Sequence, residues 1–255
     1  MSFWRKFWII VSATLLGVFI WSIVSVVILR FVPVYYTPLM LKRVVEKKDK
    51  DKEKKSTFAR KWTPLENISH NAVQAVVASE DNLFMQHSGF DKKAIEEARK
   101  YNKSKKDTKP KRGGSTISQQ TAKNVFTFGT RTWVRKGVES YFTVLIEWIW
   151  GKKRIMEVYL NIVELGNGIY GVEAASQHYF RHSAKTLTAA EAALLAAALP
   201  APLRYSISNP GKYMRKRQQQ IVRLMPKVEK VDFDKPREST TSTKSNKASK
   251  SKNKK

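Results

Sequence analysis

The chain has 255 residues, enough for one sizeable domain with extensions, and a formal net charge of +27. Such a surface selects anionic partners: nucleic acid, anionic lipid or a phosphorylated substrate. With no cysteine, disulfides and thiolate metal centres are excluded.

Phe7 to Leu29 is an uncharged apolar run. As a helix it would span roughly 34 Å at about 1.5 Å per residue, enough to cross a bilayer core. Trp4 and Trp8 on one side and Tyr35 and Tyr36 on the other have the character of interfacial aromatics. A cleaved signal peptide has a shorter apolar core and a small-residue cleavage site, so residues 1–33 read as an uncleaved anchor. Arg5 and Lys6 precede the span, whereas Arg30, Lys42, Arg43, Lys47 and Lys48 follow it. That count alone would keep the remainder in the cytoplasm. Residues 34–61 read as a charged linker, with Glu46 to Lys55 a solvated segment or exposed helix.

Folded structure is expected from Trp62. Thr63-Pro64-Leu65-Glu66 carries a capping-box pattern with proline at the first helical position. Ala72 to Ala78 has the apolar density of a buried helix, and Glu80-Asp81 arrive at its end, where the macrodipole disfavours negative charge. A partly desolvated carboxylate there has a raised pKa and suits a general base; the same pair also serves simply to solvate a helix end. Asp91 is placed to cap a helix from Lys92 to about Lys100, and Lys103 to Lys111 reads as a basic loop. Gly113-Gly114 permits close backbone approach, and Ser115 is placed to cap the next helix. On that helix Gln119 and Lys123 share a face, as a phosphate site or as an ordinary polar surface.

Phe126, Phe128 and Trp133 interleave with Arg131 and Arg135. Such a set stacks nucleic-acid bases or meets a membrane interface, and beside an anchor helix the membrane is the better account. Arg135 to Trp150 reads as a helix, with Glu139 placed for a salt bridge to Arg135 four residues earlier. Gly151-Lys152-Lys153 breaks it, and Ile155 to Leu160 resumes an apolar pattern. Gly166-Asn167-Gly168-Ile169-Tyr170-Gly171 satisfies a dinucleotide fingerprint by its letters, yet no repeated strand–helix units surround it. His178 and His182 have the spacing of two metal ligands, but no third is evident, and they read as surface residues. Thr188 to Leu199 is a buried helix opened by a Thr188–Glu191 capping box and ended by Pro200 and Pro202. Tyr213 to Met225 is a basic amphipathic helix; residues 231–255 read as a basic tail, Ser/Thr/Lys/Asn-rich and expected to be disordered from Glu238 onward.

Five blocks stand in order between about Trp62 and Met225: Ala78-Ser79-Glu80-Asp81-Asn82-Leu83-Phe84-Met85-Gln86-His87-Ser88-Gly89, Gly113-Gly114-Ser115-Thr116-Ile117-Ser118-Gln119-Gln120-Thr121-Ala122-Lys123-Asn124, Arg135-Lys136-Gly137-Val138-Glu139, Tyr159-Leu160-Asn161 with Gly166, Gly168 and Gly171, and Glu191-Ala192-Ala193-Leu194-Leu195. Together they resemble the glycosyltransferase domain that polymerises peptidoglycan strands, found alone and as the first module of class A penicillin-binding proteins. The resemblance implies an all-α, lysozyme-like helical domain at residues 62–230 on one N-terminal transmembrane helix. It implies polymerisation of lipid II with inversion and release of undecaprenyl pyrophosphate. Glu80 takes the place of the base and Glu139 that of the second carboxylate. Asp81, Phe84, His87, Ser115, Thr116, Gln119, Gln120, Lys123, Asn124, Arg131 and Arg135 take substrate-binding places, with Lys123, Arg131 and Arg135 at the pyrophosphate. No residue is assigned as a metal ligand; a divalent cation, magnesium or manganese, is the candidate cofactor, with no organic cofactor.

The implied partners are lipid II, the growing glycan strand, membrane lipids and other cell-wall synthesis proteins, not nucleic acid. The implied location is the bacterial inner membrane with the domain on the periplasmic side. That reverses the positive-charge count, because long domains translocate largely regardless of charge. The chain has no room for a penicillin-binding domain, so a monofunctional enzyme is expected. Two rival readings remain open: a lytic enzyme that cuts finished glycan with an acid carboxyl, and a tethered polybasic binder that does not need Glu80.

Overall fold

The computed structural model describes residues 2–50, 58–104, 113–128 and 132–235. Phe3–Phe31 forms one helix, α1, the one helix among the described residues long and apolar enough to cross a membrane. Most of its side chains are exposed; Ser22 and Val26 are buried. Its last turns are fastened to the domain through polar contacts. The Ser22 hydroxyl lies 2.7 Å from that of Tyr141, and the Trp150 indole donates to the Val26 carbonyl at 2.7 Å. The Arg154 guanidinium donates to the carbonyls of Leu29 at 2.9 Å and Val32 at 2.6 Å, filling acceptors that a helix end leaves unpaired.

The stretch expected to be a linker takes part in the fold. Val34, Thr37 and Met40 are buried, and Pro38–Lys50 forms a second helix, α2. Ala59–Arg60 is a short strand, β1, parallel to a strand more than a hundred residues later. The expected capping box at Thr63 does not form. Asn161 takes both backbone groups of Thr63, at 2.7 and 2.8 Å, and only a 3-10 turn, Leu65–Asn67, follows. Ser69 instead caps the next helix, α3 (His70–Glu80), accepting from the Asn71 N–H.

Helix α4 is Lys92–Ser104, opened as expected by Asp91, whose carboxylate accepts from the Ala94 N–H at 2.9 Å. Then come α5 (Ile117–Phe126), α6 (Trp133–Ile149) and α7 (Gly151–Ile162), with Gly151 at φ 71 forming the joint between the last two. Helix α5 packs on α6 and α7, α2 packs on α5, and α1 packs on α6. A hairpin follows, β2 (Glu164–Gly166) and β3 (Ile169–Tyr170), completing a three-stranded sheet in the order β1-β3-β2. The letters of the dinucleotide fingerprint thus spell a turn. At Gly171, φ 81, an added Cβ would lie 2.7 Å from the Asn161 carbonyl oxygen, so the chain can pass there only as glycine.

Helices α8 (Val172–Phe180), α9 (Ala189–Ala198) and α10 (Lys212–Leu224) complete the domain. The alanine-rich α9 lies between α3 and α10, its small side chains letting both approach closely. His178 is exposed, and α8 ends before His182, which pairs with Glu191 at 3.0 Å, so the two histidines share no helical face. The buried Gln74 of α3 binds the segment after α10: its amide donates to the Met225 and Glu229 carbonyls, and its oxygen accepts from the Val231 N–H. Val231 is buried, so the packed domain runs past 230; the tail from 236 and most of the loop 103–111 lie outside the described residues. The architecture is the expected all-α one, with a single small sheet as an addition.

Candidate active site

Two elements build the site, the C-terminal end of α3 and the N-terminal end of α5. Asp81 joins them. Its carboxylate is almost wholly buried and accepts from the Ile117 N–H at 3.0 Å and from His87 at 2.8 Å. The start of α5 is an anion-favouring position, so this carboxylate satisfies one orphan amide there, that of Ile117. Its neighbours leave it a fastening role. His87 in turn accepts from the Gly89 N–H through Nδ1, and the Gly89 carbonyl accepts from the Thr116 hydroxyl at 2.6 Å.

The cap of α5 differs from the expected one. Thr116, not Ser115, is the capping residue: its hydroxyl accepts from the Gln119 N–H, and the Gln119 side chain accepts from the Thr116 N–H at 3.1 Å. The reciprocal pair needs a residue with a glutamine three positions on, which Thr116 has and Ser115 lacks. Ser115 is left exposed at the rim. Of the two glycines before it, Gly114 is the one in close approach, where a Cβ would lie 3.2 Å from the Ile95 backbone.

Glu80 ends α3, partly exposed. One carboxylate oxygen accepts from the Gln120 amide at 3.1 Å, the other from the Ser79 hydroxyl at 3.3 Å. Burial raises its pKa above the ordinary glutamate value, against the opposing pull of Gln120, Ser79 and the Arg217 charge. Desolvation therefore carries the shift that the helix end alone suggested. Arg217 comes from α10 and reaches the Ser79 carbonyl at 3.4 Å.

A groove of about 630 Å³ opens between α4 and the starts of α5 and α6, lined among others by Ile95, Arg99, Ser115, Gln119, Trp133 and Lys136. Lys136 and Arg135 both pair with the buried carboxylate of Glu139, the latter at 3.5 Å. The expected salt bridge at Glu139 is thus present and extended by a second cation. Lys123 is half-buried on α5 and Asn124 buried; Arg131 lies outside the described residues. Phe84 departs from its expected place. It is fully buried, with the Lys152 ammonium 4.4 Å from its ring centroid, so it supports the site from behind and has no surface for a ligand.

Four residues, Tyr159, Lys152, Glu147 and Arg217, were given no role at the site from the sequence. Tyr159, fully buried on α7, donates to the Gln120 side-chain oxygen at 3.2 Å. Lys152 and Glu147 form an ion pair in which each side chain is 5% exposed, joined by the Ser118 hydroxyl. A lone carboxylate within Leu145-Ile146-Glu147-Trp148-Ile149 was the available signal for Glu147. Arg217 had none beyond its place on a basic helix.

The carboxylates do not make a protein cage for a divalent cation. Glu80, Asp81 and Glu139 each face hydrogen-bond donors or cations, and no cluster of three potential ligands occurs among the described residues.

A family model described as transglycosylase matches residues 47–226. The biosynthetic peptidoglycan transglycosylase of Bdellovibrio bacteriovorus is 51% identical over 87% of this chain and 87% of its own. That of Bacteroides thetaiotaomicron is 49% identical over 84% of this chain and 87% of its own. That of Pasteurella multocida is 47% identical over 88% and 89%. With the ordered motifs and the all-α fold around Glu80, these likenesses show that the chain belongs to the biosynthetic peptidoglycan transglycosylases.

Proposed function

We propose that this transglycosylase polymerises lipid II into linear glycan strands, releasing undecaprenyl pyrophosphate with inversion at the anomeric carbon. The observation that carries the reading is Glu80: a partly desolvated carboxylate with raised pKa, held by Gln120 and Ser79. In this scheme Glu80 takes the proton from the acceptor GlcNAc 4-hydroxyl as that oxygen attacks the anomeric carbon of the donor MurNAc. The donor already carries a good leaving group, so base catalysis and charge neutralisation suffice. Lys123, Arg131 and Arg135 neutralise the departing pyrophosphate. Glu139 holds Arg135 and Lys136 in place by pairing with both. A divalent cation, if one takes part, would have to draw ligands from the substrate phosphates, and no step here runs through it.

The proposed setting is the outer face of the bacterial inner membrane, with α1 as the single span and with membrane lipids, the growing strand and other cell-wall synthesis proteins as partners. Supporting the membrane contact, Phe128, Trp133, Val144 and Trp148 are exposed, Phe128 just beyond α5 and the others on α6, the helix that packs on the span. Polymer formation from labelled lipid II by the purified chain in detergent tests the reading. A chain that makes no polymer but cuts finished peptidoglycan would replace it with the lytic one.

A further inference from the structure

Gln120 can orient Glu80 only if its own amide is held one way round. The two ends of a glutamine amide are nearly equal in shape, and only their partners distinguish them. An ionised Glu80 requires the N–H end, at 3.1 Å from its oxygen. The carbonyl end then faces inward, where the Tyr159 hydroxyl donates to it at 3.2 Å. Tyr159 is fully buried on α7, and its next neighbours in sequence, Val158 and Leu160, are fully buried too. Its hydroxyl therefore has a fixed position. Burial beside Glu80 and Asp81 holds the phenol well above its ordinary pKa, so it stays a neutral donor throughout the working range.

Resting on the reading of Glu80 as base, we propose that Tyr159 is a positioning residue: it fixes the Gln120 amide, and through it the carboxylate oxygen of Glu80. It touches no substrate. The chain Tyr159–Gln120–Glu80 links α7 to α5 to α3, while Arg217 of α10 donates to the Ser79 hydroxyl at 3.5 Å, which donates to the other oxygen. Each carboxylate oxygen thus has its own support. The arrangement also tolerates the proton that the base acquires. When Glu80 is protonated it can donate to a reversed Gln120 amide, whose N–H end then donates to the Tyr159 oxygen, since a phenol accepts as well as donates. The Tyr159 hydrogen gives up Gln120 as its acceptor in that state, so the full set of bonds belongs to the ionised form of Glu80.

Tyr159→Phe keeps the ring and removes only the hydroxyl. Lipid II polymerisation should fall about tenfold in kcat, with KM within about twofold, because the substrate is bound by other groups. The acid limb of the kcat/KM profile should move to higher pH, since a loosened Gln120 stabilises the ionised Glu80 less. The other groups acting on that carboxylate, Arg217, Ser79 and Asp81, are unchanged. Gln120→Met should give the same split, and Tyr159→Phe should add little on top of it, because both break one chain. Gln120→Met also stands in as the test if Tyr159→Phe does not fold. Full kcat with an unmoved acid limb in either variant, or additive losses in the pair, would overturn the relay. Glu80→Gln run alongside separates the levels. If it is inactive while the relay variants are unaffected, only the relay fails; if it is fully active, the base assignment itself fails.

Discussion

Glu80→Gln should make the protein slower and more stable at once. The carboxylate is held above its ordinary pKa chiefly by burial, so the folded state binds its proton more tightly than the unfolded chain does. The sign follows. Stability is lost as pH rises from the unfolded glutamate pKa through the folded one. Each pKa unit of elevation corresponds to about 1.4 kcal/mol. For a domain of this size, 1 kcal/mol moves Tm by about 2–4 °C. Glutamine removes the buried charge yet keeps the contacts: its oxygen can accept from Gln120, and its amide can donate to the Ser79 oxygen. It also forfeits the attraction of Arg217, but the net direction at Glu80 is upward, so burial outweighs that attraction. Thermal unfolding of both proteins in the same detergent should show the variant higher at pH 7.5, with the gap closing near pH 4. Turnover of lipid II should fall about a hundredfold or more. An equal or lower Tm at neutral pH would refute the reasoning about burial, and polymerisation at the parent rate would refute the base.

Lys152→Met leaves the Glu147 carboxylate buried without its cation, so stability should drop by about 3–5 kcal/mol, read as a Tm loss on the order of 10 °C. Adding Glu147→Leu should recover part of it; an unchanged Tm in the single variant would show the pair to be solvated. Trp133 and Trp148 are 93% and 82% exposed. If they enter lipid, a chain starting at residue 34 should still float with vesicles, and Trp133→Ser with Trp148→Ser should lower its partitioning about tenfold. Equal flotation would remove α6 from the membrane contact.

What could be read from the chain, and what could not, divides by range. Asp91 capping α4 and the Thr188–Glu191 box opening α9 are decided within four residues, and both form. Thr116 is as local: its capping box with Gln119 was written in the sequence beside the serine that seemed the natural cap. The failed box at Thr63 is different, because Asn161 takes the Thr63 backbone from 98 residues away. Lys152 looked like part of a helix break. It became a buried partner of Glu147 because Gly151, at φ 71, turns the chain between α6 and α7. The supposed linker before Trp62 reads as polar on average, yet Val34 and Met40 are enough to bind it into the core.

The same division explains why Glu80 was easier to single out than its supports. Glu80 is a carboxylate where α3 ends, and the end of a helix is a local feature. Holding that carboxylate against its own desolvation is a task for neighbours in space. Gln120 is 40 residues from Glu80, Tyr159 a further 39, and Arg217 lies 138 from Ser79. Each is an ordinary residue on its own helix: a polar position on α5, an aromatic in the core of α7, a cation on a basic face. Their shared task exists only once α3, α5, α7 and α10 are packed, so it is the packing of four helices, not any one of them, that holds the Glu80 carboxylate.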